Sequence, residues 1–155
     1  MARMSGHSPL LTSLAAGWLL AACTAAGPDD PPLLSAGERG PALLAFYGDT
    51  TAVQLPASTH VGEATTLRFS SFGGGCIRQD TIEAAVSGLS AEVRPYRREP
   101  TQLPPNTACT ADLHPDQNVV DLRFAEPGHA RVRIVGLARP GDQPFVVERD
   151  LLVTP

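Results

Sequence analysis

Residues able to do chemistry are sparse in this 155-residue chain. The densest group is Asp112, His114 and Asp116, with Asp121 shortly after. Spaced two apart, the first three would share one face of an extended segment and offer two carboxylates and an imidazole to a divalent ion. Pro115 would interrupt a strand there, however, and Asp, Pro and Asn are also what an exposed turn uses. The turn is the favoured reading, and no metal is assigned. A second group is Arg94, Tyr96, Arg97 and Arg98, whose Arg and Tyr content matches that of protein interfaces. Flanking Glu92 and Glu99 nearly neutralise it, so the competing reading is a solvated hairpin tip.

Nucleophilic catalysis finds no footing. The chain has no Gly-x-Ser-x-Gly elbow, and nothing in the sequence sets His60, His114 or His129 beside a nucleophile. All 12 basic residues are Arg, which removes Schiff-base and P-loop lysines. Gly73-Gly74-Gly75 therefore reads as a bulge or tight bend that delivers Cys76, not as a phosphate cradle. A formal net charge of −4 argues against a nucleic-acid partner, because phosphate binding needs a basic face. No cofactor is assigned, and the reading is non-enzymatic.

The N-terminus carries a different kind of signal. Arg3 is the only charge before Asp29, and an apolar run over residues 10–22 follows it, the layout of a secretory signal. The run is short for a spanning helix, which needs about 20 apolar residues. It closes on Leu20-Ala21-Ala22-Cys23, which resembles a bacterial lipobox at all four positions. The resemblance implies that residues 1–22 are removed and that Cys23 becomes the acylated N-terminus of a membrane-tethered lipoprotein. Thr24, where Asp would retain a lipoprotein in the inner membrane, implies the outer membrane if the cell has one. The alternatives are an ordinary cleaved signal with Cys23 incidental, or an uncleaved anchor helix.

With Cys23 committed to lipid, Cys76 and Cys109 remain, in an exported setting where disulfides persist. A bridge between them is expected. The rival reading is a metal site using both thiols and His114, although the spacing of paired close cysteines is missing.

The elements that must position these groups are strands. Residues 23–41, after the 1–22 signal peptide, hold Gly, Pro, Ser and Asp with few large apolar side chains, and read as the lipidated Cys and a flexible tether. The domain is expected over residues 42–155. Leu67 and Phe69 alternate with Arg68 and Ser70, Leu122 and Phe124 with Arg123, and Val132 and Ile134 with Arg131 and Arg133. Ile82, Ala84 and Val86 alternate before Ser87-Gly88, and Leu89, Ala91 and Val93 after it, as in a hairpin. Pro95 should end that hairpin and open a long Pro-rich loop back to Cys109. No helical period is sustained. About seven short strands separated by turns predict an all-β antiparallel sandwich.

The run Phe69-Ser70-Ser71-Phe72-Gly73-Gly74-Gly75-Cys76, the Cys109-Thr110-Ala111-Asp112-Leu113 segment and Glu126-Pro127-Gly128 before Arg131-Val132-Arg133-Ile134 resemble uncharacterised bacterial lipoproteins with an immunoglobulin-like domain. The resemblance implies an immunoglobulin-like β-sandwich and supplies no activity. The expectation is a lipid-anchored cell-envelope protein with a non-catalytic binding or structural role, whose partners are the membrane and an envelope protein or glycan. A metal-handling lipoprotein and a small inhibitor of an envelope hydrolase are the alternatives.

Overall fold

The computed structural model of the protein describes residues 37–103, 106, 108–110 and 112–155, so Cys23 and the leader lie outside the described residues. Eleven strands, and no helix among the described residues, make up the fold. They are β1 (Glu38–Pro41), β2 (Leu43–Phe46), β3 (Asp49–Thr50), β4 (Val53–Gln54), β5 (Ser58–His60), β6 (Thr65–Gly73), β7 (Arg78–Ser87), β8 (Ser90–Glu99), β9 (His114–Leu122), β10 (Gly128–Arg139) and β11 (Gln143–Thr154). The expected all-β, sandwich-like fold is present. β2 and the long strands β6 to β11 make the seven, and β1, β3, β4 and β5 are short additions at the margins.

The strands belong to one curled sheet whose two leaves face each other. One leaf runs β7, β8, β10, β11 and β5; the other holds β9, β6 and β4. β2 joins them, because it pairs with β10 and also with β6 through Leu43 opposite Phe72. Pairing is mixed, which corrects the purely antiparallel expectation. β10 is parallel to β8 and to β2, and β11 is parallel to β5. Gly136 makes the β2 contact possible. A Cβ there would lie 2.6 Å from the Ala42 carbonyl oxygen and 2.7 Å from Leu44 Cγ, so any side chain would push β2 off the sheet.

Period-two patterning fills the space between the leaves. Leu67, Phe69, Leu122, Phe124, Val132 and Ile134 all turn inward and are essentially inaccessible, with Leu44, Ala91, Val93, Ala130, Leu151 and Val153 completing the core. Ala84 and Val86 do not join them. β7 pairs in the sheet only with β8 and forms an outer edge, so its alternation brings only Ile82 against the core.

Three boundaries differ from the sequence expectation. The sheet begins at Glu38 and takes in the last four positions of the stretch read as tether, because residues 38–41 pair in antiparallel register with residues 96–99 of β8. β8 passes straight through Pro95 to Glu99. Pro95 is tolerated because β8 changes partner there, from β10 at Val93 to β1 at Tyr96, while its register with β7 shifts between Gln79 and Ile82. Pro115 likewise lies within β9, opposite Phe72, where β9 is an edge strand paired in the sheet with β6 alone.

Candidate functional site

Cys76 and Cys109 are joined, with Cα atoms 5.2 Å apart. The Gly-rich run that precedes Cys76 leaves β6 as a tight bend, Gly74 and Gly75 having φ of +137° and +59°. Side chains are excluded there by space as well. A Cβ on Gly74 would collide with the Asp112 carbonyl, and one on Gly75 would lie 2.6 Å from the Thr110 carbonyl. The glycines therefore let two chain segments close on each other, and the disulfide fixes them.

The closed segments roof a cavity of about 430 Å³ at one end of the sandwich, inside the roughly 300–1,000 Å³ range of ligand sites. Its floor is Leu43 of β2, Phe46 beside it, and Phe72 of β6; Ile77, Leu103 and Leu113 rise around it with the disulfide. Phe46 stacks edge-on with Tyr47 at 4.8 Å and tilts against Phe72 at 6.3 Å. Leu103 and Leu113 are 42% and 41% exposed, so apolar side chains reach the mouth, beside Glu99, Thr110, Asp112 and Arg139.

Ionisable groups at this cavity are already engaged. Arg139 Nε meets Asp142 at 3.1 Å, and its Nη2 meets Glu99 Oε2 at 3.5 Å. The same Glu99 oxygen takes Arg97 Nη2 at 3.3 Å. Asp112 accepts from the Thr110 hydroxyl and from the Gly75 amide at 2.9 Å. These hydrogen bonds, Thr110 first, hold the Asp112 carboxyl below its ordinary value, so it stays ionised and is no proton store.

The structure brings Asp112, His114 and Asp116 together, as their spacing suggests. The geometry is a line rather than a cage. His114 Nδ1 lies 3.7 Å from Asp112 and Nε2 lies 3.2 Å from Asp116, so the ring stands between the two carboxylates with one nitrogen facing each. Among the described residues no group of three or more His, Cys, Asp and Glu could hold a metal ion.

Arg94, Tyr96, Arg97 and Arg98 do not form one patch, because β8 sends alternate residues to opposite faces. Arg94, Tyr96 and Arg98 face outward and are held by Glu92, Glu83 and Asp80 respectively. Arg39 of β1 lies 3.7 Å over the Tyr96 ring and also pairs with Asp80 and Glu83. Arg97 points inward and is 8% exposed. Desolvation by its surroundings pushes its pKa down, and its Nη1 has no hydrogen-bond partner among the described residues. Parity along β8 was the signal that separates Arg97 from its neighbours.

One hydroxyl does approach a histidine. Thr154 Oγ1 is 3.0 Å from His60 Nδ1, a pairing of distant residues that no motif announces. It is not an activated nucleophile, since the hydroxyl donates to the Thr59 carbonyl and the same ring nitrogen contacts the Pro155 oxygen at 3.0 Å. His60 and Thr154 lie in the β5–β11 region, away from the disulfide-roofed cavity.

Comparison with known proteins adds no identification: no family model matches the chain, and neither the curated proteins nor the solved structures contain a match.

Proposed function

We propose that the chain is a lipid-anchored protein of the bacterial cell envelope, with an immunoglobulin-like domain that binds a ligand or partner and performs no chemistry on it. The observation that carries the binding part is the apolar cavity beneath the Cys76–Cys109 bridge. Among the described residues that line it, the acids and the base neutralise one another or are capped, which leaves none of them a free general base. The signal layout and Leu20-Ala21-Ala22-Cys23 support the anchor.

The test is a crosslinked pull-down of the anchored protein from its own envelope, beside a Cys23→Ala form. The wild type should fractionate with membranes and retain a bound molecule or partner, while Cys23→Ala should accumulate as an unlipidated, mis-sorted precursor. Membrane retention of Cys23→Ala identical to wild type would overturn the anchor. A folded, anchored wild type that retains neither a partner nor a small molecule would overturn the binding role.

A further inference from the structure

We infer that the disulfide-roofed cavity receives one acyl chain of a membrane lipid whose head group is uncharged. This rests on the binding role proposed above and names the ligand class of that site. Leu43, Phe46 and Phe72 form an apolar floor, and the exposed Leu103 and Leu113 extend it to the mouth as one contiguous apolar surface. The polar lining offers an acyl chain nothing to displace. Arg139, Glu99 and Asp112 each already hold their own partner. Together they carry one positive and two negative formal charges, a net of −1, which disfavours an anionic head.

The position of the cavity points to the membrane as the source. The described chain begins at Gly37, where a Cβ would lie 2.8 Å from the Glu99 carbonyl oxygen, and Glu99 lines the cavity. Gly37 therefore packs on the backbone of a residue that lines the cavity. Cys23 precedes Gly37 by 37 − 23 = 14 residues, a span of at most about 50 Å at roughly 3.3–3.6 Å per residue. An anchor at Cys23 keeps Gly37, and the Glu99 it packs on, within that reach of the lipid surface.

The experiment titrates full-length protein, as Cys23→Ala so that no acyl chain of its own competes, with a monoacylglycerol bearing a fluorescent parinaroyl chain. Saturable binding at one per chain is expected, weakened about tenfold or more in Leu103→Arg and in Leu113→Arg. Both positions lie on the exposed mouth, so the variants should keep the wild-type circular dichroism spectrum. Free parinaric acid, carrying a carboxylate on the same chain, should bind more weakly. No saturable binding, binding unchanged by both substitutions, or tighter binding of the free acid would each overturn the inference. Failure of binding by the lipidated wild type alone would also overturn it, because the protein's own anchor would then be the occupant. The binding role has its own readout: a partner or other ligand retained in the pull-down would preserve it while this assignment fell.

Discussion

Removing the Cys76–Cys109 bridge by Cys76→Ala/Cys109→Ala is the most quantitative test of how the cavity roof is held. The bridge closes a sequence separation of 33 residues. Chain-entropy arithmetic at that length gives about 12.5 cal/mol/K, or about 3.7 kcal/mol at 25 °C. Against a typical domain stability of about 5–15 kcal/mol, the variant should stay folded. The core supports this expectation, because Phe69, Phe124, Leu67 and the residues packed on them lie between the leaves and not against either cysteine. For a domain of this size the loss corresponds to about 10–20 °C in melting temperature. Urea and thermal denaturation of full-length protein followed by far-ultraviolet circular dichroism give both numbers. An unchanged spectrum at 20 °C, a melting temperature lower by that amount and an unchanged urea m-value are predicted. A drop of less than about 3 °C would refute the reasoning, since the glycine-mediated closure of residues 73–75 on residues 109–113 would then restrain the segment without the bridge.

Other substitutions test the remaining contacts. Asn118 is 1% exposed, donates to Ser71 Oγ at 3.1 Å and accepts from Gln79 at 2.5 Å, tying β9 to both β6 and β7. Asn118→Ala should cost about 2–3 kcal/mol in urea denaturation, because it leaves buried polar groups unpaired; a cost under 0.5 kcal/mol would remove the network from the account. Arg97→Met should change stability by less than about 1 kcal/mol, since Glu99 keeps Arg139 and an unpartnered buried nitrogen is removed. A loss above 3 kcal/mol would show that the Arg97–Glu99 pair holds the sandwich end. The Asp112 carboxyl, lowered by Thr110 and Gly75, contributes stability that is complete above the ordinary Asp value of 3.8 and is lost as pH falls through the lower folded-state value. Carbon-detected nuclear magnetic resonance should place its midpoint below 3.8, and Thr110→Val should raise it; a midpoint at or above 3.8 contradicts the hydrogen-bond geometry.

Where burial is one-sided, the fold was legible. Leu67 with Phe69, Leu122 with Phe124 and Val132 with Ile134 face a core on one side only, so period two alone places them. The Cys76–Cys109 pair was legible for a different reason, namely that two cysteines were left once Cys23 was assigned to a lipobox behind a sequence that reads as an export signal. Pro95 and Pro115 misled because a proline ends a strand only where its missing N–H was needed. Pro95 falls at a change of partner and Pro115 on an edge, and neither fact is local. The parallel contact of β2 with β10 depends on Gly136 beneath Ala42, a residue that sequence offers as one more glycine. The cavity was least visible. Leu43, Phe72, Cys109 and Arg139 come from four separate segments, and only the folded chain sets them around one space.

The most direct test of an anchored, lipid-receiving domain is native mass spectrometry of the protein extracted from its own envelope. The expected species is a chain beginning at an acylated Cys23, lighter by two hydrogens for the Cys76–Cys109 bridge, carrying a non-covalent adduct of lipid mass that Leu103→Arg and Leu113→Arg lose. A chain with unmodified Cys23 and no adduct would contradict it.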